Sequence, residues 1–107
     1  MLGGTIAGTF LSAVTPGNLY SLPLTAGSWI LVGNAYFTSV TSAQLSISET
    51  SNTLNTFSLV TIGSAGTHSL NITRCVNISS NTTYYLVGTS GGNVTVTSYA
   101  FNAYRIG

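Results

Sequence analysis

The sequence predicts an all-β chain: a single antiparallel β-sandwich (jelly roll) of about eight strands, preceded by an N-terminal arm. Three observations carry this. Apolar residues recur with period two along most of the chain, and no stretch longer than one turn keeps a helical period. Gly, Pro, Asn and Ser clusters punctuate it at short, regular spacing. The stretch Ser28 to Thr38 is apolar on both parities, as a central strand of a packed sandwich must be.

Taken in order, residues 1–17 read as an arm or edge strand, and residues 18–107 as the sandwich. Gly3 to Val14 is strand-like but glycine-rich, so it pairs weakly at an edge. Its apolar side chains, Ile6, Phe10, Leu11 and Val14, are the candidates for clamping a neighbour. Pro16-Gly17-Asn18 is a turn, and Pro23 assigns Leu19 to Leu24 to an edge. Ser28 to Thr38 puts Trp29, Leu31, Gly33, Ala35 and Phe37 on one face and Ile30, Val32, Asn34 and Tyr36 on the other. Gly33 there suggests a bulge or a close neighbouring backbone.

Ala43, Leu45 and Ile47 alternate inward, and a polar loop follows over residues 49–56. Phe57 to Ile62 reads as a short strand. Ser69 to Ile78 alternates again, with Arg74 on the apolar parity, either at an interface or reaching outward along its stem. Gly91-Gly92 predicts a two-residue hairpin loop with positive φ. That register would pair Thr89 with Val94, Val87 with Val96 and Tyr85 with Ser98 on a core face. Tyr84 and Leu86 would then share the opposite face with Tyr99, too apolar for water and therefore covered by another subunit or an extra layer. Tyr99 to Ile106 closes the chain as a strand.

Composition narrows the function. The chain of 107 residues is one domain, able to hold a core without metals or disulfides. Charged residues are 3% of it, against about 25% in ordinary domains. They are Glu49, Arg74 and Arg105. Two arginines cannot neutralise a run of phosphates, so nucleic acid is excluded as a partner. No apolar run approaches a membrane span, and the apolar start lacks the basic region of a signal peptide. So neutral a chain lacks the self-repulsion that keeps monomers apart, and suits permanent assembly.

Little in the sequence can do chemistry. Proton transfer near neutral pH would fall to His68 and Glu49, with the tyrosines and Cys75 behind them. A Ser-His-Glu set is arithmetically available, but no Gly-x-Ser-x-Gly elbow is expected with it, and so small an inventory argues against an enzyme. No catalytic residue, cofactor or metal is expected. His68 reads as a loop residue; the alternative is three copies meeting on a threefold axis around a metal. Cys75 reads as a small buried hydrophobe. The Asn-x-Ser/Thr sequons at Asn71, Asn77, Asn81 and Asn93 are about what a chain so rich in Ser and Thr holds by chance.

Three stretches carry a resemblance: Leu22-Pro23-Leu24-Thr25-Ala26-Gly27-Ser28-Trp29-Ile30-Leu31-Val32-Gly33, then Tyr84-Tyr85-Leu86-Val87-Gly88, then Tyr104-Arg105-Ile106. From about Leu22 to Gly107 the chain resembles a β-sandwich module of phage and large-virus structural proteins. That module is similar to the trimeric jelly roll of the tumour necrosis factor and complement globular-head type. The resemblance implies a homotrimer with Tyr84, Leu86, Tyr99 and Phe101 lining the threefold axis. Fibre heads of this kind follow a long shaft, whereas only some twenty residues precede the sandwich here. The expectation is therefore a capsid decoration, or cement, protein on the outer surface of the virion, bound to the major capsid protein. The alternative is a tail-fibre tip that binds a host receptor or glycan through exposed aromatics such as Tyr20, Tyr36 or Tyr104. A cellular ligand domain of the same jelly-roll kind is a third reading.

Overall fold

The computed structural model describes residues 2–6, 9–11, 15–96 and 98–107. Ten strands follow one another there: β1 (Leu2–Ile6), β2 (Thr9–Leu11), β3 (Gly17–Leu24), β4 (Gly27–Val40), β5 (Ala43–Ser48), β6 (Leu59–Ile62), β7 (Gly66–Ile78), β8 (Thr82–Ser90), β9 (Val94–Val96) and β10 (Ser98–Arg105). They form two four-stranded antiparallel sheets, ordered β1-β10-β4-β7 and β3-β8-β5-β6, plus the pair β2-β9. Ile6 pairs with Tyr99 and Thr9 with Val96, three steps on in each strand, so the ladders β1-β10 and β2-β9 share one register. Counted as one strand pair, they leave eight strands in the alternating order of a jelly roll.

Period two explains which residues meet between the sheets. From the first sheet come Trp29, Leu31, Ala35 and Phe37 of β4, Leu70 and Ile72 of β7, and Tyr99, Phe101 and Ala103 of β10. From the second come Leu19, Leu22 and Leu24 of β3, Leu45 and Ile47 of β5, and Tyr84 and Leu86 of β8. Gly33 faces Leu86 of the opposite sheet at close range. A Cβ there would sit 2.6 Å from Leu86 Cδ1 and 3.3 Å from Ile72 Cγ2. The close neighbour is thus a side chain of the opposite sheet, and the ladder around Gly33 runs without a bulge.

The hairpin expected at Gly91-Gly92 does not form. β8 pairs with β3 and β5, β9 with β2, and β10 with β1 and β4. The chain crosses between sheets at this point, and consecutive strands find distant partners. Nor does Gly91 owe its place to a positive φ; among the described glycines only Gly27 and Gly66 have one. A Cβ on Gly91 would collide with Thr41 Oγ1, while its N–H donates to the Ser42 carbonyl at 3.0 Å. Close approach is what requires glycine here.

The segment read as an arm or edge strand supplies β1 and β2. β1 is the edge of its sheet, bonded to β10 of the same chain. At the other end, Ile106 N–H donates to the Ser28 carbonyl and Ser28 N–H to that of Gly107. The Arg105 guanidinium lies 5.5 Å from the Trp29 ring and donates to Thr25 Oγ1 and the Ala26 carbonyl.

Candidate assembly surfaces

The four residues assigned to a threefold axis lie inside the chain. Tyr84, Leu86, Tyr99 and Phe101 are all buried, Leu86 and Phe101 completely. This corrects the sequence reading. The apolar face of the late strands is covered by the chain's own opposite sheet, not by a neighbour, because β8 and β10 belong to different sheets and turn these residues toward each other.

The attachment candidates are also engaged within the chain. Ile6 is paired with Tyr99, Phe10 with Thr95 and Leu11 with Val94. Leu11 is buried, and Cβ atoms at Gly17 and Gly88 would fall 2.9 and 3.2 Å from its methyl groups. Val14 lies outside the described residues.

The two sheets differ on their outer faces. On β5 and β8 the parity opposite the core carries Ser46, Ser48 and Val87, yet all three are buried. The loop between β5 and β6 accounts for this. The Ser46 hydroxyl donates to the Ser58 carbonyl at 2.7 Å and accepts from Asn55 N–H at 2.9 Å. Asn18, which pairs with Val87, accepts from Asn52 N–H and donates to Ser51 Oγ. Asn52 turns the loop with φ 53°, a conformation Asn tolerates. The loop thus roofs the outer side of β3-β8-β5-β6. At its end Phe57, expected to open a strand, is 100% exposed; its N–H donates to Asn55 Oδ1.

Among the described residues no such roof covers the outer face of β1-β10-β4-β7. Ile30, Val32, Asn34 and Tyr36 of β4 point outward, beside Asn102 and Tyr104 of β10 and Asn71, Thr73 and Cys75 of β7. Tyr36 and Tyr104 are each 43% exposed, and Cys75, expected to be buried, is exposed. Tyr20, the third aromatic considered for glycan contact, packs against the core.

The one ion pair among the described residues ties the sheets together. Arg74 of β7 donates to the Ile47 carbonyl at 3.0 Å and to Glu49 Oε2 at 2.9 Å, and its guanidinium lies 5.3 Å from the Tyr84 ring. Burial raises the Glu49 carboxyl, but hydrogen bonds from Arg74 and Asn55 together with the Arg74 charge outweigh it, and the group ends below its ordinary range. Burial pushes the Tyr84 hydroxyl up.

No three His, Cys, Asp or Glu side chains gather among the described residues. His68 Nε2 lies 3.0 Å from the Ser64 carbonyl, which can only accept, so the ring donates from that nitrogen. The sequence reading was mistaken about one pattern it took to be absent: Gly88-Thr89-Ser90-Gly91-Gly92 does spell Gly-x-Ser-x-Gly. The nucleophile elbow that pattern denotes needs a strand-to-helix turn exposing the serine. Here it closes β8 without a following helix, and Ser90 is buried with its hydroxyl donated to the Gly92 carbonyl.

No protein-family model matches the sequence, and no curated protein does. Among solved structures, the chain is similar to one from broad bean stain virus, at 9% identity and a TM-score of 0.50, over 100% of this chain and 90% of that one. It is also similar to a chain of the disulfide-linked pili that form Bacillus endospore appendages, at 11% identity and a TM-score of 0.47, over 99% and 88%. Tobacco streak virus coat protein follows at 8% and 0.44, over 99% and 86%. At these identities what is shared is the fold: an all-β jelly-roll sandwich of the kind found in the broad bean stain virus structure.

Proposed function

We propose that this chain is a structural protein of a virus particle, a decoration protein that sits on the outer surface of the capsid and binds the major capsid protein. The observation that supports this reading is the jelly-roll strand order of this chain, together with its fold similarity to the broad bean stain virus chain. A surface of Ser, Thr, Asn and Tyr with three charged side chains in the whole sequence supports it, since such a chain is not kept apart from its copies by charge. The role is non-enzymatic. Assembly as a homotrimer loses the residues first assigned to it, because all four are core. Contact with the shell falls instead to surfaces that remain exposed: the unroofed face with Tyr36 and Tyr104, and Phe57 at the end of the loop.

Those two tyrosines also favour a second reading, a fibre tip that stacks a host glycan on exposed aromatic rings. Location separates the two. Antibody-labelled particles imaged by electron microscopy should carry hundreds of copies over the shell. A few copies confined to a tail would replace the first reading with the second, and absence from the particle would remove both.

A further inference from the structure

A sheet edge presents unpaired main-chain N–H and C=O groups, a template for another strand, and proteins blunt their edges by shortness, proline, bulges or charge. The edges of this sandwich differ sharply in that respect. β6 is four residues long. β3 carries Pro23, which has no N–H, and shifts register between Asn18 and Tyr20. β1 and β2 are five and three residues.

β7 is long and free of proline, and its one irregularity, a register shift opposite Phe37 to Val40, lies at the Gly66 end, outside residues 69–78. It runs for 13 residues and is paired on one side, with β4, from Gly66 opposite Val40 to Ile78 opposite Gly27. It contains no proline, no lysine and no carboxylate. Its single full charge, Arg74, turns inward to the Ile47 carbonyl and Glu49. Ser69, Asn71, Thr73, Cys75 and Asn77 stand exposed along its outer parity, all uncharged.

We propose that β7 is a strand-addition edge whose occupant is β7 of a second copy of this chain, paired antiparallel about a twofold axis. Charge chooses the occupant. An edge whose only cation is already neutralised has no field to select a charged peptide, and its complement is an equally neutral edge, which its own copy supplies without repulsion. An isologous pairing also satisfies both open edges at once. Over residues 69–78 it adds about ten main-chain hydrogen bonds, and it joins two four-stranded sheets into one of eight. The unroofed faces then become one continuous uncharged surface. The inference stands on the sheet edges and does not depend on where the protein sits in a particle.

The test is sedimentation equilibrium of the full chain at micromolar concentrations, with reductant present so that Cys75 cannot cross-link copies. A concentration-dependent dimer is expected. Asn71→Lys with Thr73→Lys places like charges along both copies of the edge and should weaken the dimer by about tenfold or more. Ser21→Lys on the β3 edge and Cys75→Ser should leave it unchanged. A monomer, a trimer indifferent to the β7 lysines, or an equal loss with Ser21→Lys would overturn the proposal. Should the double variant fail to fold, hydrogen exchange on the native chain decides the matter: amides within residues 69–78 must slow as concentration rises, and concentration-independent exchange there refutes the pairing.

Discussion

The two sheets share one core but meet the outside differently. The outer side of β3-β8-β5-β6 is roofed by the chain's own loop, pinned through Ser46, Asn18 and Asn55. The outer side of β1-β10-β4-β7 leaves Ile30, Val32, Tyr36 and Tyr104 without a roof. The first arrangement buries a polar row and satisfies Ser46 and Ser48 internally, while the buried Ser58 and Thr89 hydroxyls make no hydrogen bond. The second keeps amide, hydroxyl and aromatic groups available to something else. An extra layer is therefore a local property of one sheet, and assembly is most economically sought at the other.

The comparison can be broken first at what the sheets hold in common. Leu86→Ala removes a fully buried side chain from between them and should destabilise the fold by about 2–5 kcal/mol, read from denaturant melts. A loss under about 1 kcal/mol would mean that the sheets are not packed through β8. Leu11→Ala should fall in the same range. It also tests the N-terminal segment, since an arm held by a neighbour would show no such loss in the dilute chain.

Next comes the roof itself. Ser46→Ala orphans Asn55 N–H and leaves the Ser58 carbonyl only its bond from Ile47 N–H, and should cost about 1–3 kcal/mol. Amide exchange should speed up over residues 49–58 while β4 stays protected. Uniform acceleration everywhere would show that the roof is not a separate layer.

A smaller effect is expected from pH. Because Glu49 has a folded pKa below its reference value of 4.5, its contribution is present above that value and lost as pH falls through the folded pKa. The pair is partly exposed, so the acid loss is at most about 1 kcal/mol, and Glu49→Gln should remove it. Tyr84 works in the other direction: its raised pKa favours the folded state until pH climbs past the reference 10.0. Melting temperatures at fixed protein concentration should be nearly level from about pH 5.5 to 9. A drop of many degrees between pH 6 and 7 would assign His68 a buried or metal-bound role. The smallest change is expected on the unroofed face, where Tyr36→Ser should alter monomer stability by no more than about 0.5 kcal/mol.

Much of the fold was legible because parity is local. Period two placed Trp29, Leu31, Ala35 and Phe37 together, turned Leu45 and Ile47 inward, and made β4 the long central strand. Pro23 marked an edge, but Arg74, expected at an interface or reaching outward, instead crosses to the Ile47 carbonyl and Glu49 within the chain. Pairing was not legible, because it is non-local. Gly91-Gly92 satisfies the hairpin rule, yet the strands on either side belong to different sheets. That error moved Tyr84, Leu86, Tyr99 and Phe101 from the core to an imagined interface. The roof was hidden for a similar reason: a polar loop reveals nothing in sequence about the sheet it folds over. The open β7 edge emerges only when all the edges are compared.

The pairing of β1 with β10 has a consequence in time. Residues 2–6 leave the ribosome long before their partners, residues 99–103, are made. At about 5–20 residues per second, several seconds pass before that ladder can close. The first sheet therefore cannot be completed co-translationally by stepwise addition of hairpins. During that interval Leu31, Phe37 and Leu45 have been made without the strand that finishes their cover. Such a chain folds late and all at once, and its exposure to misassociation is set by the rate of translation as much as by its final stability.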